Sequence, residues 1–184
     1  MRIARMVMRL VVGGVLVQLT GCGDDDPKVQ DYSQVKLSIN ELQASNQTSA
    51  YDEYNEADDW VELFNAGKES LELTGFHISD DTGTPEKHTF AAGVSVPAGG
   101  VTLIWFDGDP EQGANHLAFK LSATAGESVV ISDPNGGSLD SVDFGLGSAG
   151  QSFARHPDGT GAYAWCASPT PSGLNGDACQ SPTP

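Results

Sequence analysis

After residue 21 no long apolar run keeps a 3.6-residue period, so the chain has no obvious amphipathic helix to build on. Short stretches alternate apolar and polar residues instead, and each stops at Gly, Pro, Asn or Asp. The sharpest is Asp59-Trp60-Val61-Glu62-Leu63-Phe64-Asn65. At a strand's period of two, Val61 and Leu63 share one face and Trp60, Glu62 and Phe64 the other. Asp58 and Asp59 open the stretch, and Asn65 and Gly67 close it. The internal Glu62 predicts a sheet that covers a core on one side and meets water on the other.

Further strands are expected along the chain. Val35-Lys36-Leu37-Ser38-Ile39-Asn40-Glu41-Leu42 places Val35, Leu37 and Ile39 on one face. Residues 71–79 read as one strand, with Gly75 a bulge or close approach. Residues 88–90 form a short strand, and residues 101–106, nearly all apolar, a central strand covered on both faces. Residues 117–121, 128–132 and 138–144 follow, and residues 151–155 make a last edge strand. Residues 44–58 form a long polar loop, and residues from 170 onward read as low-complexity tail. Eight or nine short strands in about 130 residues, joined by turns, define an all-β sandwich.

The N-terminus has a separate logic. Arg2, Arg5 and Arg9 precede an apolar run over residues 10–19, too short to span a bilayer. Leu19-Thr20-Gly21-Cys22 then resembles the lipobox of bacterial lipoproteins. That resemblance implies a signal peptide over residues 1–21, cleavage before Cys22, and lipid on the Cys22 thiol. Residues 22–34, with Gly23-Asp24-Asp25-Asp26-Pro27, read as a solvated tether. The expected location is the bacterial cell envelope, on its periplasmic face or outer surface, with the acyl chains holding the membrane.

The formal net charge of −16 leaves no basic stripe to neutralise phosphates, which argues against nucleic acid as a partner. The chain has three cysteines. With Cys22 given to lipid, Cys166 and Cys179 remain and are expected to pair in an oxidising compartment.

Several pieces in order resemble the lamin tail domain family. They are Ile39-Asn40-Glu41-Leu42, the stretch from Asp59 to Asn65, and Leu73-Thr74-Gly75-Phe76-His77-Ile78-Ser79-Asp80. His88-Thr89-Phe90, Val96-Pro97-Ala98-Gly99-Gly100 and Phe119-Lys120-Leu121-Ser122 continue the series. Val142-Asp143-Phe144-Gly145, Ser152-Phe153-Ala154-Arg155, Pro157-Asp158-Gly159 and Pro169-Thr170-Pro171-Ser172-Gly173-Leu174-Asn175 complete it. The resemblance covers residues 35–176 and leaves 177–184 as a C-terminal tail. It implies an immunoglobulin-like β-sandwich acting as a non-catalytic binding or structural module. The expected partner is an envelope protein or a glycan.

Catalytic motifs are absent from the sequence or out of context. Gly145-Leu146-Gly147-Ser148-Ala149-Gly150 spells a dinucleotide fingerprint, but no helix follows to hold a pyrophosphate, so it reads as a flexible turn. Asp143-Phe144-Gly145 lacks the rest of a kinase site. His77, His88, His116 and His156 are scattered, with no pair at metal-ligand spacing.

Calcium is the cofactor the acidic residues suggest, because Ca²⁺ takes six to eight hard oxygens. The candidate ligands are Glu41, Asp59, Glu62, Asp80 and Asp81. Asp58, Asp107, Asp109 and Glu111 add to the acidic clusters at strand ends. Glu41 and Glu62 are expected to be cross-strand neighbours, where two carboxylates repel unless a cation lies between them. Two rival functions follow: a calcium-dependent surface hydrolase or enzyme accessory domain, and a carbohydrate-binding module stacking sugars on Trp60. Trp105, in an apolar strand, is expected in the core.

Overall fold

The alternating segments pair into strands because a β-branched or aromatic side chain packs well on a pleated, half-covered surface. The computed structural model describes residues 29–122 and 124–179. The expected signal peptide, Cys22, most of the expected tether and residues 180–184 lie outside the described residues. The strands are β1 (Leu37–Gln43), β2 (Asp59–Asn65), β3 (Leu71–Glu72), β4 (His77–Ser79), β5 (His88–Thr89) and β6 (Ser95–Val96). They continue with β7 (Val101–Phe106), β8 (Glu127–Ser132), β9 (Ser138–Phe144), β10 (Ser152–His156) and β11 (Ala162–Cys166). A 3₁₀ turn over Gly176–Cys179 follows.

One sheet has the order β11-β10-β1-β2-β7 and another β5-β4-β8-β9, with a small β3-β6 pair beside them. Every strand pair is antiparallel. The two larger sheets close on one core. Leu37, Ile39, Leu42, Val61, Leu63, Ile104 and Phe106 from the first meet Ile78, Val129, Ile131, Val142 and Phe144 from the second. Burying each such side chain contributes about 1.5–3 kcal/mol. The architecture is the all-β sandwich that the alternation predicted, of the immunoglobulin-like kind that the family resemblance implied.

The structure corrects the strand reading in several places. Residues 71–79 are two strands in different sheets, because the chain turns at Gly75 with φ +84°. β7 is not central. It ends its sheet, and residues 115–117 lie along it, with the Trp105 N–H donating to the Asn115 carbonyl at 2.8 Å and the Leu117 N–H to the Trp105 carbonyl at 2.9 Å. Residues 117–121 make no strand beyond single bridges such as Asp107 with Lys120. β10 is not an edge, since β11 pairs with it from Ser152–Cys166 to His156–Ala162. The segment Ala162-Tyr163-Ala164-Trp165-Cys166 alternates small and aromatic residues, not polar and apolar ones, and that hid it. Tyr32, expected in the tether, packs edge-on against Phe76 at 5.5 Å.

Candidate functional site

The site begins with a register shift. β1 pairs with β2 as Ile39 with Leu63, then Glu41 with Glu62, so Asn40 is the extra residue of a β-bulge. Strict alternation would send Glu41 into the core behind Leu37 and Ile39. The bulge turns it to the opposite face, beside Glu62, and returns Leu42 to the core. The backbone of Ile39 is supplied by side chains from other strands. Its N–H donates to Asp140 Oδ2 at 2.9 Å, and its carbonyl accepts from Tyr163 Oη at 2.7 Å and Arg155 Nε at 3.0 Å. Arg155 also grips Asp140 with Nη2 at 2.9 and 3.0 Å. This bidentate pair ties β10 to β9 and so joins the two sheets.

The face carrying Glu41 and Glu62 is not in water, which corrects the expectation drawn from Glu62. Both carboxylates are 0% exposed. The chain after β11 covers them, so residues 170–175 are not a loose tail. Thr170 Oγ1 lies 2.8 Å from Glu41 Oε2, and the Thr170 N–H donates to Oε1 at 3.1 Å. The Ser152 hydroxyl donates to Glu41 Oε1 through a short hydrogen bond. Asn40 Nδ2 donates to Glu62 Oε1 at 3.0 Å and to Asp158 Oδ1 at 2.9 Å. Asn175 is buried and completes the cluster. Its backbone N–H donates to Asp158 Oδ1 at 2.8 Å, and its side-chain amide donates to the Asn40 and Arg155 carbonyls at 3.2 and 2.8 Å. Residues 170–175 thus form a clasp closed over two carboxylates.

The electrostatics fit a proton held between these groups. Burial pushes the Glu62 carboxyl up to about 8, against the pull of the Asn40 amide and with the help of the Glu41 charge. Burial likewise raises Glu41, although the Ser152 and Thr170 hydrogen bonds oppose it. Hydrogen-bond bookkeeping agrees. Thr170 Oγ1 lies 2.8 Å from Glu41 Oε2 and 2.9 Å from Asn175 Oδ1, yet a hydroxyl has one proton to donate. A proton on Glu41 Oε2 satisfies both contacts: Glu41 donates to Thr170, and Thr170 donates to Asn175.

The calcium candidates do not meet in one place. Glu41 and Glu62 are the cross-strand pair that was expected. Asp59 opens β2 and accepts the Ser45 N–H at 2.6 Å. Asp80 is held by Lys87 Nζ at 2.7 Å, and Asp81 accepts the Gly83 N–H of its own turn at 2.7 Å. The sequence missed Asn40, Ser152, Asp158, Thr170 and Asn175 as members of the clasp. It also missed a second polar corner, where ligand atoms of Asp52, Asp107 and His116 lie within 4.8 Å of one another.

The structure bears on the rival functions too. Trp60 is 0% exposed, with its indole N–H donating to Gln43 Oε1 at 3.0 Å, so it offers no platform to a sugar. Trp105 is buried as expected. A hydrolase using Glu41 and Glu62 would have to lift residues 170–175 before any substrate reached them. Gly147, in the glycine-rich segment, backs directly onto the Trp165 ring, where a Cβ has no room.

The fold and the clasp define an immunoglobulin-like β-domain with a buried polar closure. A family model described as Lamin Tail Domain matches residues 30–145, and the chain belongs to that family. No curated protein and no solved structure matches the chain. The family match ends just after β9, so β10, β11 and the clasp lie beyond it.

Proposed function

We propose that this chain is a lipid-anchored, non-catalytic interaction module of a bacterial envelope, and that the free edge of β11 is where an extended partner segment pairs. The observation that carries the reading is the contrast between the two ends of the five-stranded sheet. Residues 115–117 close the β7 end, whereas β11 is last in order at the other. β11 has no charged residue and no proline, the usual devices that keep an edge from pairing. Trp165 on it is 36% exposed and backs onto Gly147, which follows the 63% exposed Leu146 in sequence. Edge, exposed aromatic and neighbouring apolar residue are what strand addition uses: main-chain hydrogen bonds for affinity and alternate side chains for specificity.

Attachment through Cys22 is supported by the Leu19-Thr20-Gly21-Cys22 sequence and by the acidic stretch after it, which suits a solvated spacer. Two experiments test the reading. Growth with labelled palmitate should label the wild-type chain and leave Cys22→Ala unlabelled. A photo-crosslinking residue at Ala162 or Trp165 should give one discrete adduct in the intact envelope, and the same residue at Glu72 on β3 none. Equal adducts from both places, or none from β11, would overturn the docking edge.

A further inference from the structure

The loop between β1 and β2 folds back on the segment after β7 and makes a corner that no part of the clasp uses. Asp52 organises the loop. Its Oδ1 accepts the Tyr54 and Glu56 N–H groups at 2.9 and 2.8 Å, which leaves Oδ2 buried with no hydrogen-bond partner. Across from it stands His116, 1% exposed, with its ring stacked on Trp105 at 6.3 Å. Asp107 Oδ2 holds His116 Nδ1 through a short contact, and Asp107 Oδ1 is fixed by the Asp109 N–H at 3.0 Å. His116 Nε2 is buried and makes no hydrogen bond, although Glu53 Oε1 stands 3.4 Å away. Gln112 Oε1, in the same segment, is a third buried polar atom without a partner.

Unpartnered buried polar atoms are costly and uncommon, and Asp52 and His116, which carry two of them, come together at one corner. A carboxylate that fixes one nitrogen of an imidazole leaves the other as a lone-pair donor of set direction. That is the arrangement by which an outer carboxylate orients a metal-binding histidine. We propose that this corner binds a divalent transition-metal ion, of the zinc or manganese class. His116 Nε2, Asp52 and Glu53 serve as its ligands, and Asp107 is the residue that positions the ring. The donor set decides the class. Calcium takes oxygen ligands, whereas an imidazole nitrogen among carboxylates favours zinc or manganese. Glu53 is exposed and free to swing the short distance that coordination requires. The ion would pin the loop over residues 52–56 to the end of β7, on the opposite side of β2 from the clasp strands.

The test is calorimetric titration of the full chain in detergent with ZnCl₂, MnCl₂ and CaCl₂ in turn, paired with thermal melts. Zinc or manganese should bind at one equivalent and raise Tm, and calcium at the same concentration should do neither. Asp52→Asn and Glu53→Gln should each weaken binding tenfold or more. Asp107→Asn, which loosens the hold on the ring, should weaken it by about 10- to 100-fold. Glu53 is on the surface, so Glu53→Gln should keep the metal-free Tm, and its loss of affinity cannot be blamed on unfolding. His77 and His88 are the other imidazoles that neighbour each other, so His88→Gln is the control and should leave the titration unchanged. No heat with zinc or manganese, binding that survives Asp52→Asn and Glu53→Gln together, or binding lost in His88→Gln would overturn the proposal.

Discussion

Glu41 and Glu62 stand directly opposite each other across β1 and β2, and both are fully buried. They are held there by hydroxyls, an amide and a backbone N–H, not by a basic side chain. Two buried charges so placed would repel and would each lose hydration, so the arrangement is stable with the proton retained.

Stability should therefore fall as pH rises. The Glu62 carboxyl moves from its ordinary 4.5 to about 8 on folding. Below 4.5 both folded and unfolded states carry the proton and there is no cost. Above it the unfolded chain ionises first, and stability is lost progressively until the folded carboxyl titrates near 8. The upward shift of Glu41 acts in the same direction. Thermal melts between about pH 5 and pH 9 should show Tm declining, with a shallower slope in Glu62→Gln. A slope unchanged by that substitution would show that Glu62 is not the group responsible.

Thr170→Val tests the clasp itself. It keeps the side-chain shape and deletes the hydroxyl that bridges Glu41 and Asn175. Leaving buried acceptors without a donor costs about 1–3 kcal/mol. Residues 167–175 should then be cut by a protease under conditions that spare the wild type, and the Asn175 N–H should exchange faster. Wild-type protection in the variant would mean the clasp does not depend on this hydroxyl.

The Cys166–Cys179 bridge closes the chain after β11 with a sequence separation of 13. A loop of that length contributes about 3 kcal/mol in the chain-entropy picture. Cys179→Ser should lower the urea midpoint accordingly. The loss in Thr170→Val combined with Cys179→Ser should differ from the sum of the two, because both changes free the same segment.

Gly147→Val should expel Trp165 from its seat, since the ring lies where the new side chain must go. Trp60 and Trp105 are buried and Trp165 is not, so the change should appear as a red shift in tryptophan emission that is absent in a Trp165→Phe background. If β11 is the docking edge, the same substitution should also abolish the adduct from Ala162.

Much of the fold was legible in the sequence because a strand's two faces are written locally. The stretch from Asp59 to Asn65 declares its inner residues, Val61 and Leu63, by period alone, and both are in the core. The pairing of Glu41 with Glu62 was legible as well, although the bulge that produces it was not. The clasp was not legible, because Thr170 and Asn175 sit among prolines, serines and glycines that look like a tail. Their partners lie 129 and 135 positions away, at Glu41 and Asn40. His116 looked isolated for the same reason: Asp107 is near in sequence, but Asp52 reaches it only through the fold of a long loop.

The sequence by itself determined an all-β sandwich, its main strands and the family, since alternation, turn residues and ordered motifs are properties of neighbours along the chain. Only the tertiary structure decided that Glu62 is buried, that β7 is an edge and β10 is not, and which polar residues share a corner. Those outcomes depend on what covers each face, and a face is covered by residues whose distance in space bears no relation to their distance in sequence.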